Sequence, residues 1–304
     1  MKKLQINILA IIACLLWASA FFSGKFCLNN IPPLTLASIR LIIATIMLAF
    51  FVDFGEVKAL KSEWKTITIL GILKTVIIFV TFNMGLSRVS GSLGALIIGM
   101  SPAIAIIVAI TLLPNEHFTK TKTQSLIIGI IAILMLSFNG NSNGKTQVFG
   151  IILLVSNCIC AAYADVYIKK KTHIKFSIAV NFLQLAVGAL IVTIIALFAE
   201  DYNFTNLVSN YPLMIGVTYL AFITAVATTI WMKLVQNKDV ELSEIAIWKL
   251  IIPSIGAILS WIFSSSDKPT IISIIAMCLI LLSITLSQLN NRKKAQVLKV
   301  GKRA

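Results

Sequence analysis

Two lysines of this sequence lie deep within long apolar stretches, where a charged side chain needs a specific role. Lys74 lies about 12 Å from either end of its stretch, and Lys249 lies about 9 Å inside another, at 1.5 Å of helix rise per residue. Burying such a charge in hydrocarbon costs roughly 2.5–3.5 kcal/mol on insertion scales. Either lysine could pack between helices or face a polar cavity, where it would bind a carboxylate or a phosphate.

Two further basic residues lie in apolar stretches and have simpler explanations. Lys233 lies within a turn of the end of its stretch, so its amine can extend to the membrane surface. Arg40 lies about 9 Å from its edge. It could extend outward, or it could join two helices by binding backbone carbonyl groups.

Acidic residues supply the opposite charge. Asp165 precedes Lys169 by four residues, so an i,i+4 ion pair on one helix explains it. Glu244 lies in the first turn of a predicted helix, where the helix dipole stabilises a carboxylate. Alternatively, the ammonium group of a substrate would need one of these acids, and a zwitterion such as an amino acid could use both acids and lysines. No acid lies near the middle of the first apolar stretch, which argues against proton-for-cation exchange at a first-helix glutamate.

Several aromatic residues and two amides lie deeper in apolar stretches than an interfacial aromatic belt requires. Packing alone explains any one of them. Together they predict an amphipathic pocket with aromatic walls, amides for hydrogen bonding and lysines for an anionic group. The predicted substrate-binding residues are Trp17, Lys74, Asn83, Asn157, Tyr163, Tyr219, Trp248 and Lys249.

One apolar stretch occurs twice, at residues 90–119 and 242–270. Both copies contain small residues, a central proline, and an acidic residue fourteen positions after that proline. When Pro102 is aligned with Pro253, the acids fall together without a gap; they are Glu116 and Asp267. The repetition indicates two copies of one structural unit.

Each repeated proline removes a backbone hydrogen bond from a helix and frees a carbonyl group one turn earlier. The freed carbonyl could bind a ligand or simply allow a kink. We predict matched bends at Pro102 and Pro253 that act as hinges and let each half open and close.

The composition predicts a protein that crosses a membrane many times. Of its 304 residues 58% are hydrophobic and only 12% are charged, and the mean hydropathy is +0.96. Stretches of about 18 or more apolar residues, long enough to cross a bilayer as helix, recur throughout. We expect ten spans, near residues 5–24, 34–52, 66–84, 91–113, 124–139, 148–168, 177–199, 212–234, 243–264 and 270–289.

The basic residues are distributed unequally between the alternate loops that these spans define. Eighteen of them fall on one side of the membrane and four on the other, and the eighteen supply most of the positive charge behind the net charge of +15. By the positive-inside rule, both termini are predicted to be cytoplasmic. The first residues also imitate a cleaved secretory signal, but cleavage would leave nine spans and destroy this charge pattern.

Five spans per half is an odd number, so the second copy must enter the membrane from the opposite side. The predicted fold class is therefore an all-α polytopic membrane protein with ten transmembrane helices arranged as two inverted five-helix repeats. We place the first repeat at residues 1–140, a linker at 141–147, the second repeat at 148–290 and a basic cytoplasmic tail at 291–304. An inverted pair has two nearly equivalent packings, one open to each face of the membrane.

Sequence motifs across the chain resemble the EamA-type, ten-helix branch of the drug/metabolite transporter superfamily. They are LLWASAFFSGK, LASIRLIIATIML, the stretch GLSRVSGSLGALIIGMSPAIAIIVAITLLPNEHFT and its fainter second copy. The resemblance implies a bundle whose central cavity is lined by spans one, three, four, six, eight and nine, with five and ten outside. It also implies a structural role for Arg40. The second copy departs from the family pattern, because Asp267 follows a serine run where the family often has glycine and glutamate.

These observations favour a secondary transporter of a small polar or amphipathic metabolite that works by alternating access. The resemblance favours export of an amino acid or related compound over import of a nucleoside-like or cofactor-like solute such as S-adenosylmethionine. A lipid-handling membrane subunit, an intramembrane enzyme and a non-transporting partner of another membrane protein are alternatives. No nucleotide-binding motif is present, so a gradient of substrate or ions would drive transport.

The expected partners are a small-molecule substrate and the lipid bilayer. The five cysteines and two histidines have no metal-ligand spacing, so neither a metal, a cofactor nor a disulfide framework is expected. The basic residues are explained by topology rather than by nucleic-acid binding. We expect a monomeric, multi-pass protein of a bacterial inner (plasma) membrane and no enzyme activity.

Overall fold

The structure is a computed structural model that describes most of the chain. Its described residues are 3–112, 124, 127–128, 131–132, 135, 144–171, 174, 178–236, 249, 251–263, 268–283 and 285–286. Every regular element within them is helical. The predicted fifth span, the start of the ninth and the basic tail lie largely outside the described residues.

The helices whose bounds can be given follow one another along the described part of the chain. They are α1 (Lys3–Leu28), α2 (Pro33–Ala49), α3 (Phe54–Leu86), α4 (Gly91–Ile98), α5 (Ser101–Leu112), α6 (Gly144–Lys170), α7 (Ile178–Ala199), α8 (Thr205–Ser209), α9 (Tyr211–Gln236), α10 (Ile251–Phe263) and α11 (Ile271–Ser283).

Five of these helices, α1, α3, α6, α7 and α9, are long and apolar enough to cross a membrane. Helices α2, α10 and α11 are shorter apolar helices. Large hydrophobic side chains are exposed along the outer surfaces, including Phe198 at 91% and Ile271 at 77%. Such surfaces match lipid rather than water, so the chain is a polytopic helical membrane protein.

Helix α3 is longer than the predicted span at 66–84 because it begins at Phe54. The Asp53 carboxylate caps it by accepting a hydrogen bond from the backbone N–H of Gly55 at 2.7 Å. A 3₁₀ segment at Leu60–Glu63 and a π-helical segment at Gly71–Ile77 interrupt its regular α-helical geometry. The hydropathy pattern predicted only its apolar part.

The predicted span at 91–113 consists of two helices, α4 and α5, separated by a turn at Gly99 and Met100. Pro102 therefore lies in the first turn of α5, where a missing backbone N–H costs little. Pro253 likewise lies in the first turn of α10. Their role as hinges stays a prediction.

Helices from the two halves of the chain pack against each other extensively. Helix α2 packs on α7 and α9, while α7 also packs on α3; α1 packs on α9 and α10, while α6 packs on α3, α4 and α5. Helix α4 packs on α10. The halves are therefore interleaved, with the core at their interface.

Small residues allow α4 and α10 to approach closely in an antiparallel register. A Cβ on Gly91 would meet Ser260, a Cβ on Gly256 would meet Ala95 at 2.8 Å, and a Cβ on Gly99 would meet Pro253 at 2.6 Å. Successive contacts therefore move toward the C-terminus of α4 and toward the N-terminus of α10. Close approach of small residues is a common basis of helix association in membranes.

One contact ties the start of α2 to the end of α7. The Glu200 carboxylate accepts hydrogen bonds from the backbone N–H groups of Leu34 and Thr35 at 3.0 and 2.7 Å, and from the Thr35 hydroxyl at 2.9 Å. These are unpaired donors at a helix N-terminus, where a carboxylate is favoured. Glu200 thus caps a helix of the other half of the chain.

Candidate functional site

A cavity of about 160 Å³ lies among helices α1, α2, α3, α4, α5, α6 and α9 and the residues before and within α10. Its volume is close to that of an engineered protein cavity that binds one benzene molecule. Its walls combine aromatic and apolar side chains with a few charged and polar ones. They include Trp17, Phe21, Arg40, Lys74, Phe79, Phe82, Ser101, Asn157, Asp165, Thr228, Trp231 and Lys249.

Three charged residues from different parts of the chain meet at this cavity. Lys74 Nζ lies 2.8 Å from Asp165 Oδ1, and Lys249 Nζ lies 3.5 Å from Asp165 Oδ2. All three side chains are at most 13% exposed. The charge-assisted hydrogen bonds offset part of the cost of burying them. The cluster joins α3 of the first half to α6 of the second half and to Lys249, which precedes α10, and it retains one excess positive charge.

The π-helical segment of α3 carries Lys74. A π-helical turn contains one more residue than an α-helical turn and is frequently found at functional sites. It places Lys74 beside Asp165, and it leaves the neighbouring Thr75 hydroxyl buried without a hydrogen-bond partner among the described residues. The irregular helix therefore positions the shortest ion-pair contact of the cluster.

Trp231 forms the aromatic side of the cluster. Lys249 Nζ lies 4.2 Å from the centroid of the Trp231 ring, which is cation–π geometry. The indole Nε1–H donates a hydrogen bond to Asp165 Oδ2 at 3.4 Å. The Trp17 ring lies 5.3 Å from that of Trp231. These contacts hold two tryptophans and the ion cluster as one wall.

Arg40 occupies a different part of the cavity wall. Its Nε–H donates to Thr224 Oγ1 at 2.6 Å and to the backbone carbonyl of Leu220 at 3.1 Å, and its guanidinium lies 4.9 Å from the centre of the Phe79 ring. The side chain thus joins α2 to α9 through a backbone carbonyl, which was one of its two predicted roles. Its Nη1 is buried and has no hydrogen-bond partner among the described residues.

The structure brings four of the predicted binding residues to this cavity: Trp17, Lys74, Asn157 and Lys249. The Asn157 amide donates to the Ile78 carbonyl at 2.6 Å and to Thr81 Oγ1 at 3.1 Å, so it also joins α6 to α3. Substrate binding by these four residues stays a prediction.

The other predicted residues are placed elsewhere. Asn83 is fully buried outside the cavity lining, and its amide has no hydrogen-bond partner among the described residues. Tyr219 shares a hydrogen bond of 2.8 Å with Ser19, also outside the lining. Tyr163 is 44% exposed, because it lies two residues from both Ala161 and Asp165 and thus points away from their face of α6. Trp248 lies outside the described residues.

The structure corrects the explanation of Asp165. The sequence predicted an i,i+4 ion pair with Lys169, whereas the ion pairs shown for Asp165 cross to Lys74 and Lys249. Trp231 was also missed, because a tryptophan near the end of an apolar stretch is typical of the interfacial aromatic belt. The available signal was that two deep lysines required a buried acid, and Asp165 lies within a predicted span, at 148–168.

A bundle of apolar helices around a charged and aromatic cavity defines a multi-pass membrane protein with an internal chamber. The chain belongs to the EamA-like transporter family, which matches residues 4–138 and again residues 148–289. This family is part of the drug/metabolite transporter superfamily. The protein is thus a membrane transporter by family.

Similar proteins carry the same general description. An uncharacterized transporter of Bacillus subtilis, YvbV, is 25% identical over 300 residues, which cover 97% of this chain and 95% of that protein. A second from the same organism, YdfC, is 25% identical over 279 residues, covering 90% and 88%. A crystal structure superposes with a TM-score of 0.69 at 14% identity, covering 96% of this chain and 99% of the other, so the two share a fold.

Proposed function

We propose that this protein is a secondary transporter that moves a small polar or amphipathic metabolite by alternating access between two inverted five-helix halves. The observation that carries the proposal is the ion cluster at the cavity, in which Asp165 bridges Lys74 of the first half and Lys249 of the second. Buried charges at the interface of repeats are expected of a substrate pathway. Opening the cavity to one side would require this bridge to rearrange.

The inverted arrangement is supported by the pattern of helix packing. Each helix of the first half has a counterpart in the second: α1 corresponds to α6, α2 to α7, α3 to α9, and α4–α5 to α10. When the two members of each correspondence are exchanged, the pairs of packed helices map onto one another. The pair of α1 with α9 becomes that of α6 with α3, and α2 with α9 becomes α7 with α3. The two separate family matches, at residues 4–138 and 148–289, support the proposed division into repeats at 1–140 and 148–290.

The crossing of α4 and α10 gives a second line of support. Aligning Pro102 with Pro253 makes Met100 the counterpart of Ile251. The antiparallel register, in which Gly99 meets Pro253, brings Met100 close to that counterpart. A twofold axis in the membrane plane would pass through such a point.

The cavity suits an amino acid or a related compound. Lysines and an arginine can receive a carboxylate, Asp165 can receive an ammonium group, and the aromatic wall can cover an apolar side chain. We propose export as the direction, on the family resemblance. Both termini are proposed to be cytoplasmic, because of the distribution of basic residues.

The proposal is tested by measuring solute flux in proteoliposomes. The panel contains amino acids, their keto-acid and amine relatives, nucleosides and S-adenosylmethionine, so the importer alternative is measured in the same assay. We expect concentration-dependent flux of an amino-acid-related solute that falls in Lys74→Ala and Lys249→Ala.

Lys233→Ala is the matched control, because Lys233 is exposed at the end of α9. We expect this variant to transport like the wild type. Undiminished flux in both cavity variants would refute the site assignment. No flux of any solute in either direction would refute the transporter function.

A further inference from the structure

Arg40 differs from the two cavity lysines in that its charge has no acidic partner among the described residues. The structure shows ion pairs of Asp165 with Lys74 and with Lys249, but none for Arg40. The Arg40 side chain is 4% exposed and lines the cavity. Burial of a cation without a counter-charge is unfavourable, so the site is most stable when an anion enters.

The hydrogen bonds of Arg40 leave part of its guanidinium without a partner among the described residues. Among the described residues only Nε–H is engaged, by Thr224 and the carbonyl of Leu220, and these contacts fix the plane of the guanidinium. The Nη1 atom carries two N–H groups and has no partner among the described residues. One edge of the guanidinium is thus anchored and another is unsatisfied.

The surroundings of Arg40 define the body of the expected ligand. The guanidinium stacks over Phe79, while Phe21 and Phe82 pack edge to face with ring centroids 5.5 Å apart in the same wall. The cavity volume of about 160 Å³ fits one six-membered ring with a short substituent. A carboxylate attached to a compact apolar or aromatic body matches both the charge and the space.

We propose that Arg40 is the residue that binds the substrate's carboxylate, and that the substrates are carboxylates with a compact apolar or aromatic body. This assignment rests on the proposed transport function and specifies it. Lys74 and Lys249 then serve mainly as partners of Asp165 in the bridge between the halves. Arg40 thus combines a specificity role with its anchoring of α2 to α9.

Binding selectivity of the purified protein tests this assignment without requiring transport. Benzoate, benzamide and benzylamine share a ring and differ in charge, and their affinities are measured by calorimetry in detergent. We expect the wild type to prefer benzoate. Arg40→Gln should weaken benzoate binding by at least about tenfold, the loss expected for a charge-assisted hydrogen bond, and should leave benzamide binding within about twofold.

Two control variants separate recognition from a purely structural role. Thr224→Val removes the anchor of Nε but keeps the guanidinium, and Arg88→Gln removes an arginine that likewise binds a carbonyl, of Met84, and stacks on Phe149, away from the cavity. Both should retain the preference for benzoate. Arg40→Lys, which keeps the charge without the planar fork, should bind benzoate with intermediate affinity even if Arg40→Gln does not fold.

The assignment is overturned if the wild type shows no preference for benzoate, if Arg40→Gln or Arg40→Lys binds it as tightly as the wild type, or if Thr224→Val loses the preference equally. These outcomes are distinct from failure of the transport proposal. Flux of neutral or cationic solutes without benzoate binding would refute only the role of Arg40. Selective benzoate binding without any solute flux would refute only the transport function.

Discussion

At the scale of single residues, Asp165 is the acid on which two buried ammonium groups depend. We expect Asp165→Asn to lower stability more than Lys74→Met, because the first change leaves two lysines without a counter-charge among the described residues. The second leaves Asp165 paired with Lys249 at 3.5 Å. Removing one member of a buried ion pair typically costs about 3–5 kcal/mol. Thermal unfolding of the detergent-purified variants measures the order.

Asp53→Asn provides the matched control for this carboxylate-to-amide change. Asp53 caps a helix from an exposed position, and asparagine caps about as well, so its unfolding temperature should stay near that of the wild type. Equal shifts for Asp165→Asn and Asp53→Asn would show that the cluster contributes nothing to stability.

The residues of the cavity could be predicted only in part from the sequence. Lys74 and Lys249 could be identified because a charged side chain deep in an apolar helix has a high free-energy cost, whichever direction it points. Tyr163 and Tyr219 were not distinguishable from cavity residues, since a helix that is apolar on all sides gives no periodicity to separate its lipid face from its inner face. Partners such as Trp231 depend on contacts between helices that spacing along the chain does not encode.

At the scale of helices, the packing of α3 against α7 positions Lys74. A Cβ added to Gly188 would overlap Thr75, the residue after Lys74 in the π-helical segment. We therefore expect Gly188→Ala to displace this segment, reducing both the unfolding temperature and solute flux, although alanine normally favours a helix by about 1 kcal/mol over glycine. Unfolding and proteoliposome assays measure the two effects.

Gly24→Ala makes the same chemical change at a less crowded position. Its new Cβ would meet only the end of the flexible Leu86 side chain, at 3.1 Å. Stability equal to or above that of the wild type is expected there. If Gly188→Ala behaved in the same way, α7 would not constrain the π-helical segment.

Helix positions could be predicted where the hydropathy of the sequence defines them. They were less predictable where irregular backbone geometry defines them. The span predicted at 66–84 is the apolar part of α3, whose polar first turns to Glu63 were invisible to hydropathy. The π-helical turn at Gly71–Ile77 has no composition signal of its own, and it packs closely against Gly188 of another helix. Pro102 did indicate an irregularity in the helix, and a turn at Gly99 and Met100 interrupts the helical structure just before it.

At the scale of the whole molecule, the repeated proline motif predicted two related halves, and the exchange of packing pairs supports that prediction. Sequence could suggest the repeat because a proline and an acid at fixed separation are rare in apolar segments. The interleaving of the halves could not be read from sequence, since it depends on which small residues meet across α4 and α10.

Alternating access requires the ends of α4 and α10 to separate on one side of the membrane, so a covalent link between them should stop transport. A Cβ on Gly91 would lie 3.3 Å from the Cβ of Ser260, close to the separation of 3.5–4.5 Å found in disulfides. In a background with the exposed Cys278 replaced by serine, we expect oxidation of Gly91→Cys/Ser260→Cys to abolish flux and reduction to restore it. Each single-cysteine variant, oxidised in parallel, should keep its activity. Full flux through protein whose disulfide is confirmed by mass spectrometry would mean that these helices stay together throughout the cycle, and this separation of α4 from α10 would be wrong.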